Sequence, residues 1–135
     1  MTSKALAVLV LLAALAVVAT ASAKEGVVAQ VLTPISRDAA PGSKVNVVWT
    51  LTEVAGEESH PFGGSAVFIR LFGPGGSHTK RVYGAELASG RFRATLRIPR
   101  GGVRRVAIGL MGERCDAAGC RPSPILFRVV GSALR

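Results

Sequence analysis

The chain has 135 residues and a formal net charge of +9, because 17 Lys and Arg residues stand against 8 Asp and Glu residues. This length corresponds to one domain, and a composition that is 49% hydrophobic and 19% charged excludes an intrinsically disordered protein. Two cysteines and two histidines are too few for a disulfide-dense scaffold, a cysteine-based zinc finger or an iron–sulfur cluster. The positive charge favours an anionic partner, although a codon bias towards arginine would produce the same balance.

The amino-terminal segment has the pattern of a secretory signal peptide. A short positive start that contains Lys4 is followed by an unbroken run of small and apolar residues over positions 5–19. Ala21 and Ala23 then occupy the small-residue positions of an A-x-A cleavage site, so cleavage is expected between Ala23 and Lys24. The alternative is an uncleaved anchor, but the apolar run is shorter than the roughly 20 residues that span a bilayer.

Export decides how the two cysteines are interpreted. Residues 1–23 are predicted to be a signal peptide that meets the membrane only transiently, and residues 24–135 a secreted or extracytoplasmic domain. Cys115 and Cys120 enclose Asp-Ala-Ala-Gly, and outside the reducing cytoplasm so close a pair usually oxidises. A redox-active pair usually has C-x-x-C spacing at a helix start, so the sequence predicts a structural disulfide.

The rest of the chain shows hydrophobic alternation with period two, which is typical of β-strands. Turn signals rich in Gly and Pro separate the candidate strands, and residues 131–135 are expected to form a frayed tail. Strands of this number and spacing predict an all-β fold, a seven-stranded immunoglobulin-like Greek-key β-sandwich that follows the signal peptide. The seven predicted strands are Val27–Ile35, Lys44–Thr52, Ala66–Phe72, Thr79–Tyr83, Gly90–Ile98, Val103–Met111 and Pro124–Val130.

The segment from Gly90 to Leu110 resembles a known kind of module. Its Gly-x-Phe-x-Ala-x-Leu-x-Ile-Pro pattern, followed by a glycine turn and a second alternating strand, is similar to the corner between strands E and F of bacterial immunoglobulin-like modules. Among such modules the segment resembles the YtkA-like and fibronectin type III-like domains, and the resemblance covers residues 41–130. Trp49 lies on the second strand, as in fibronectin-type modules. No Cys or His stands near Lys24, which departs from the copper-binding variety.

The alternation also predicts the core. Each of five large apolar residues falls on the inward side of its strand, and together they should bury the tryptophan between the two sheets. They are Trp49, Phe92, Leu96, Ile108 and Phe127.

Two long connections, Glu53–Ser65 and Gly112–Ser123, are predicted to be loops at one pole of the sandwich. They offer either a surface for a partner protein or, as the alternative hypothesis, a site for Ca²⁺ or a transition metal in a carrier or small enzyme. No calcium-binding spacing or catalytic motif supports that alternative, so no metal or cofactor is assigned. The candidate loop residues are Glu57, Glu58, His60, Glu113 and Asp116.

The outward side of the fifth predicted strand carries Arg91, Arg93 and Arg97, and Arg105 on the following strand is expected to join them. Such a row is suited to an anionic envelope polymer. It lacks the interleaved aromatic residues that stack on bases, which argues against nucleic acid. The alternative explanation is a solvated face whose charges protect an edge strand from pairing.

The sequence therefore favours a secreted, non-catalytic binding or accessory module of the cell envelope. Its expected partner is an anionic polymer, bound through the arginine row, or a protein, bound through the two long loops. The competing hypothesis is a metal carrier or small enzyme that uses the acidic pole and His60.

Overall fold

The computed structural model describes residues 26–135, so the predicted signal peptide and the cleavage site before Lys24 lie outside the described residues. Within this range, no helix is long and apolar enough to cross a membrane. The described residues form ten strands and one 3-10 turn, Pro74–Gly76. The strands are β1 (Val27–Val31), β2 (Lys44–Ala55), β3 (Glu58–Pro61), β4 (Val67–Phe72), β5 (Val82–Tyr83), β6 (Ala85–Ala88), β7 (Arg91–Arg97), β8 (Arg105–Asp116), β9 (Gly119–Leu126) and β10 (Arg128–Val130).

The ten strands form two sheets. The first sheet has the order β10–β1–β2–β7–β6, with β3 paired to the end of β2, and the second has the order β5–β4–β8–β9. Neighbouring strands are antiparallel except β1 and β10, which run parallel. The predicted all-β fold with two sheets is therefore confirmed, whereas the described strands number ten rather than seven.

The additional strands are short segments that an alternation pattern does not resolve. β3 and β6 are exposed along their whole length, so they form because they pair with β2 and β7 and not because they bury apolar side chains. The predicted strand Pro124–Val130 divides at Phe127, whose N–H donates to the Ile108 carbonyl of the second sheet. Residues 128–130 instead pair with β1 of the first sheet. Alternation continues through Phe127, so it does not reveal this change of sheet.

The core lies between the two sheets. Exposure alternates residue by residue along β7, so Phe92 and Leu96 are buried between exposed neighbours. Trp49 is fully buried, and its ring stacks on Phe92 with 5.8 Å between the ring centroids. Ile108 and Phe127 belong to the same buried cluster. The predicted inward face is confirmed.

The two long connections predicted as loops are largely β-hairpins. β2 continues through Ala55 and pairs with β3 around Gly56, which has a φ of +64°. β8 continues through Asp116 and pairs with β9 along Gly112–Ser123, a hairpin hereafter called the arm. The polar composition of both segments indicated loops, but backbone pairing extends these strands without requiring burial of their side chains.

The carboxyl terminus is not the frayed tail that the sequence predicted. The N–H of Ile35 donates to the Ala133 carbonyl at 2.9 Å, and the N–H of Arg37 donates to the Arg135 carbonyl at 3.0 Å. Leu134 forms a parallel bridge with Ile35, and Ile35 is buried. Pairing with a buried segment therefore orders residues whose own composition is that of a tail.

Candidate functional site

Arg91, Arg93 and Arg97 form a row on the outer face of the first sheet. They occupy three of the exposed positions of β7. Phe92 and Leu96, which stand between them in the sequence, point into the core. Lys44 on β2 lies directly opposite Arg97 and extends the row onto the neighbouring strand. These four residues are here called the cationic face. At a rise of about 3.3 Å per residue, Arg91 and Arg97 lie about 20 Å apart.

The cationic face has no carboxylate among its neighbours on the outer side of this sheet within the described residues. Arg97 Nη1 donates to the Gly42 carbonyl at 3.1 Å, while neither Arg91 nor Arg93 forms an ion pair or a side-chain hydrogen bond in this range. These two guanidinium groups are therefore available to an external anion. The other outward residues of the central strands β1 and β2 are Val28, Gln30, Asn46, Val48, Thr50, Thr52 and Val54.

Arg105 does not join the cationic face, contrary to the prediction. It begins β8 of the second sheet and pairs with Phe72 of β4. The next pair along these strands, Val106 and Leu71, points into the core. Arg105 therefore points outward from the second sheet, on the side of the sandwich opposite to the cationic face. The prediction failed because the connection after β7 crosses between sheets, and period-two alternation does not say which sheet a strand joins.

Edge protection does not explain the first two arginines of the row. β7 lies between β2 and β6, and both neighbours pair with it at Arg91 and Arg93. Charged residues that protect a sheet from aggregation are needed on edge strands. At these two positions the charge therefore serves no edge function.

The candidate loop residues lie on two hairpins. Glu57, Glu58 and His60 belong to the β2–β3 hairpin, and Glu113 and Asp116 belong to the arm. Their side-chain contacts stay within each hairpin. His60 Nε2 lies 3.4 Å from Glu58 Oε2, and Arg121 Nη2 forms an ion pair with Asp116 Oδ2 at 3.3 Å. Across residues 26–135, the one group of three metal-ligating side chains within 4.8 Å is Glu113, Cys115 and Cys120. Both cysteines are oxidised, so this group offers a single carboxylate. The structure does not bring together the donors that the metal hypothesis requires.

The predicted disulfide between Cys115 and Cys120 is present. The two residues are directly opposite each other in the β8–β9 pair, with their Cα atoms 4.0 Å apart. The turn that they enclose is held by Asp116, whose Oδ1 accepts a hydrogen bond from the Ala118 N–H at 2.8 Å. Asp at the first and Gly at the fourth position are typical of a type I turn, a signal of a hairpin that the prediction of a loop over this segment did not use.

The sequence analysis missed that Arg70, Arg81 and Arg105 lie together on the outer face of the second sheet. The guanidinium carbon of Arg105 lies 4.0 Å from the centroid of the Phe72 ring, and that of Arg81 lies 5.6 Å from the centroid of the Phe68 ring. Arg70 stands between these two aromatic residues on β4. The signal in the sequence was the segment Phe68-Ile-Arg-Leu-Phe72, which has bulky residues at both its inward and its outward positions. This pattern indicates that large side chains also pack on the outer face of the strand.

Comparisons of the chain with protein-family models, with curated proteins and with solved structures found no match. The resemblance to YtkA-like and fibronectin type III-like domains gains no support from them. Functional inference therefore depends on the geometry and chemistry of the two outer faces.

Proposed function

We propose that this protein is an extracytoplasmic, non-catalytic binding or accessory module that recognises an anionic polymer of the cell envelope through the cationic face. The observation that carries this proposal is a row of cations, Lys44 with Arg91, Arg93 and Arg97, that no carboxylate on the same side of the sheet neutralises within residues 26–135. Arginine donates in a planar fork that matches phosphate and carboxylate groups. An unneutralised row of this kind attracts a repeating anion.

A polymer fits this face better than a small anion does. The row is about 20 Å long and all four of its cations are exposed on a sheet surface, whereas small ligands bind in concave sites that enclose most of their surface. The outward neighbours on the central strands are aliphatic or small polar residues, so bases have no aromatic platform on which to stack. A polyphosphate-like or teichoic-acid-like polymer is thus favoured over single-stranded nucleic acid.

The strand order supports an immunoglobulin-like arrangement of the sandwich. In that fold one sheet has the strand order A-B-E-D, and the other contains strands C, F and G. Strands β1, β2, β7 and β6 follow the first order, and β4, β8 and β9 follow the second, with β5 beside β4. This arrangement leaves the outer face of each sheet open to a partner.

An extracytoplasmic location is supported by two observations of different kinds. The Cys115–Cys120 disulfide is compatible with an oxidising compartment. The amino-terminal pattern, with its A-x-A site ending at Ala23, is that of an exported protein. Both observations support a binding partner outside the cytoplasm.

Binding to long-chain inorganic polyphosphate tests the proposed function. The informative variant replaces Arg91, Arg93 and Arg97 with glutamine, and the matched control replaces Arg37, Arg114 and Arg135, which are exposed in the β1–β2 connection, on the arm and at the carboxyl terminus. Both variants lose three positive charges. At about 0.15 M salt, we expect the first to weaken binding at least about tenfold and the control less than about threefold, measured by titration calorimetry.

Salt dependence alone does not decide the question, because any protein with a charge of +9 binds polyanions more weakly as salt increases. Equal losses of affinity in the two triple variants would show that net charge is responsible. That result would overturn the proposed role of the cationic face.

A further inference from the structure

The outer face of the second sheet has a composition different from that of the cationic face. It combines aromatic side chains with arginines, and the outward positions of its four strands carry no carboxylate until Glu113 on the arm. This surface, here called the aromatic–arginine face, comprises Phe68, Phe72, Tyr83, Arg70, Arg81 and Arg105, with Leu126 and Pro124 at its β9 side.

The guanidinium groups of this face are positioned on aromatic rings. The guanidinium carbon of Arg70 lies 5.4 Å from the centroid of the Phe72 ring, and that of Arg105 lies 4.0 Å from the same centroid. The guanidinium carbon of Arg81 lies 5.6 Å from the centroid of the Phe68 ring. Arg70 is held further by a hydrogen bond from its Nε to the Thr79 carbonyl at 2.9 Å. In the described part of the chain, none of these three arginines forms an ion pair with a carboxylate. Stacking orients their donors and leaves their charge uncompensated.

The apolar part of the face forms a second, outer layer on the sheet. Phe68 is only 1% exposed although it points away from the core, and Tyr83 contacts it edge-on with 6.5 Å between the ring centroids. Gly109 makes this packing feasible, since a Cβ at that position would lie 3.0 Å from Phe68 and 3.1 Å from Leu126. Tyr83 and Leu126 themselves remain 55% and 57% exposed. Two large apolar side chains therefore flank the arginines and face solvent.

Between the arginines and the β9 side lies a small cavity of about 130 Å³, whose lining includes Ala107, Pro124 and Leu126 together with the three guanidinium-bearing side chains. A cavity of this volume is much smaller than the roughly 300–1,000 Å³ of a small-molecule site. It matches the size of one amino-acid side chain. The surrounding positive charge selects a side chain that ends in a carboxylate.

We propose that the aromatic–arginine face docks an acidic segment of a partner protein. An Asp or Glu carboxylate of that segment enters the cavity among Arg70, Arg81 and Arg105, and its apolar neighbours cover Tyr83 and Leu126. The face has the composition of a protein interface, in which aromatic residues and Arg are enriched and Asp and Glu are depleted. This inference is independent of the proposed polymer binding, because it concerns the opposite side of the sandwich.

Two other modes of association are disfavoured by the structure. A second copy of the chain that packed the same face against itself would bring three arginines against three arginines, which like-charge repulsion opposes. Strand addition at β9 is opposed by Pro122 and Pro124. Backbone N–H groups point alternately to the two sides of a strand, and the N–H of Phe127 points to β8. At positions 122 and 124 the backbone nitrogen therefore faces the free edge of β9, where proline has no N–H to donate.

A synthetic hexapeptide of alternating Glu and Leu, with blocked ends, tests this proposal. Titration into the isotopically labelled protein should shift the NMR signals of the Arg70, Arg81 and Arg105 side chains and of Tyr83 and Leu126. A peptide with Gln in place of each Glu, and hexaglutamate without the apolar residues, should each bind at least about tenfold more weakly. Absence of shifts on this face at peptide concentrations up to about 5 mM would overturn the proposal.

Matched variants assign the binding to the face. The double variant Arg81→Gln/Arg105→Gln should weaken peptide binding at least about tenfold, whereas Arg91→Gln/Arg93→Gln, with the same net charge, should leave it within about twofold. Leu126→Ser should also weaken it, and Leu87→Ser, at an exposed leucine of the first sheet, should not. Equal losses in the two arginine doubles, or shifts confined to the cationic face, would refute the proposal. Polyphosphate affinity, measured in parallel, reports separately on the polymer-binding function.

Discussion

At the scale of single residues, Trp49 joins the two sheets. Its indole is fully buried and stacks on Phe92, while its Nε1 has no hydrogen-bond partner within residues 26–135. Gly84, between β5 and β6, packs directly onto the ring, since a Cβ there would lie 2.7 Å from Trp49 Cη2. The chain crosses from the second sheet to the first at this glycine, so the crossover and the indole determine each other's position.

Two substitutions of Trp49 distinguish the contribution of its packing to stability from that of its indole N–H. Trp49→Ala leaves a large cavity and should lower the free energy of unfolding by about 3–5 kcal/mol. Trp49→Phe should lower it by only about 1–2 kcal/mol, because the smaller ring leaves a smaller cavity and because the substitution also removes a buried N–H that makes no hydrogen bond in the described structure. Urea denaturation measures both. A loss below about 1 kcal/mol for the alanine variant would contradict the assigned inward face.

At the scale of secondary-structure elements, the arm is built differently from the rest of the fold. Its end is exposed: Arg114 lies opposite Arg121, Cys115 lies opposite Cys120, and all four side chains face solvent. Backbone hydrogen bonds and one disulfide therefore hold this part of the arm without a hydrophobic core. Exposed pairs of strands are marginally stable on their own. The Cys115–Cys120 bridge supplies the missing constraint.

Removal of the disulfide should therefore loosen the arm while the sandwich stays folded. In the double variant Cys115→Ser/Cys120→Ser, amide hydrogen exchange at Arg114 and Arg121 should accelerate at least about tenfold, while exchange in β2 and β7 should not change. For a loop this short, the expected loss of global stability is at most about 2 kcal/mol. A loss above about 3 kcal/mol would show that the arm is required for folding of the sandwich.

At the scale of the whole molecule, the two open faces of the sandwich carry distinct chemistries. The cationic face presents exposed Lys and Arg among small polar and aliphatic residues, and the aromatic–arginine face presents arginines stacked on rings. Four cations of the first face and three of the second thus lie on opposite sides of the sandwich. One molecule of this kind is suited to hold an anionic polymer and an acidic protein segment at the same time.

The proposed location outside the cytoplasm has a direct test in the mass of the whole exported protein. If the predicted signal peptide is cleaved after Ala23, the protein recovered from its native host begins at Lys24, because signal peptidase recognises small residues at positions 21 and 23. Amino-terminal sequencing and intact mass spectrometry measure this. Recovery of a chain that retains residues 1–23 would support the alternative of an uncleaved anchor.

Local alternation in the sequence was enough to predict the all-β fold and the inward positions of Trp49 and Phe92, because successive side chains of a strand point to opposite sides of its sheet. The short spacing of Cys115 and Cys120 was likewise enough to predict their bond. Membership of Arg105 in the second sheet, the pairing of residues 133–135 and the cavity beside Ala107 were decided by tertiary structure alone. Each depends on which distant strands become neighbours, and no local pattern encodes that choice.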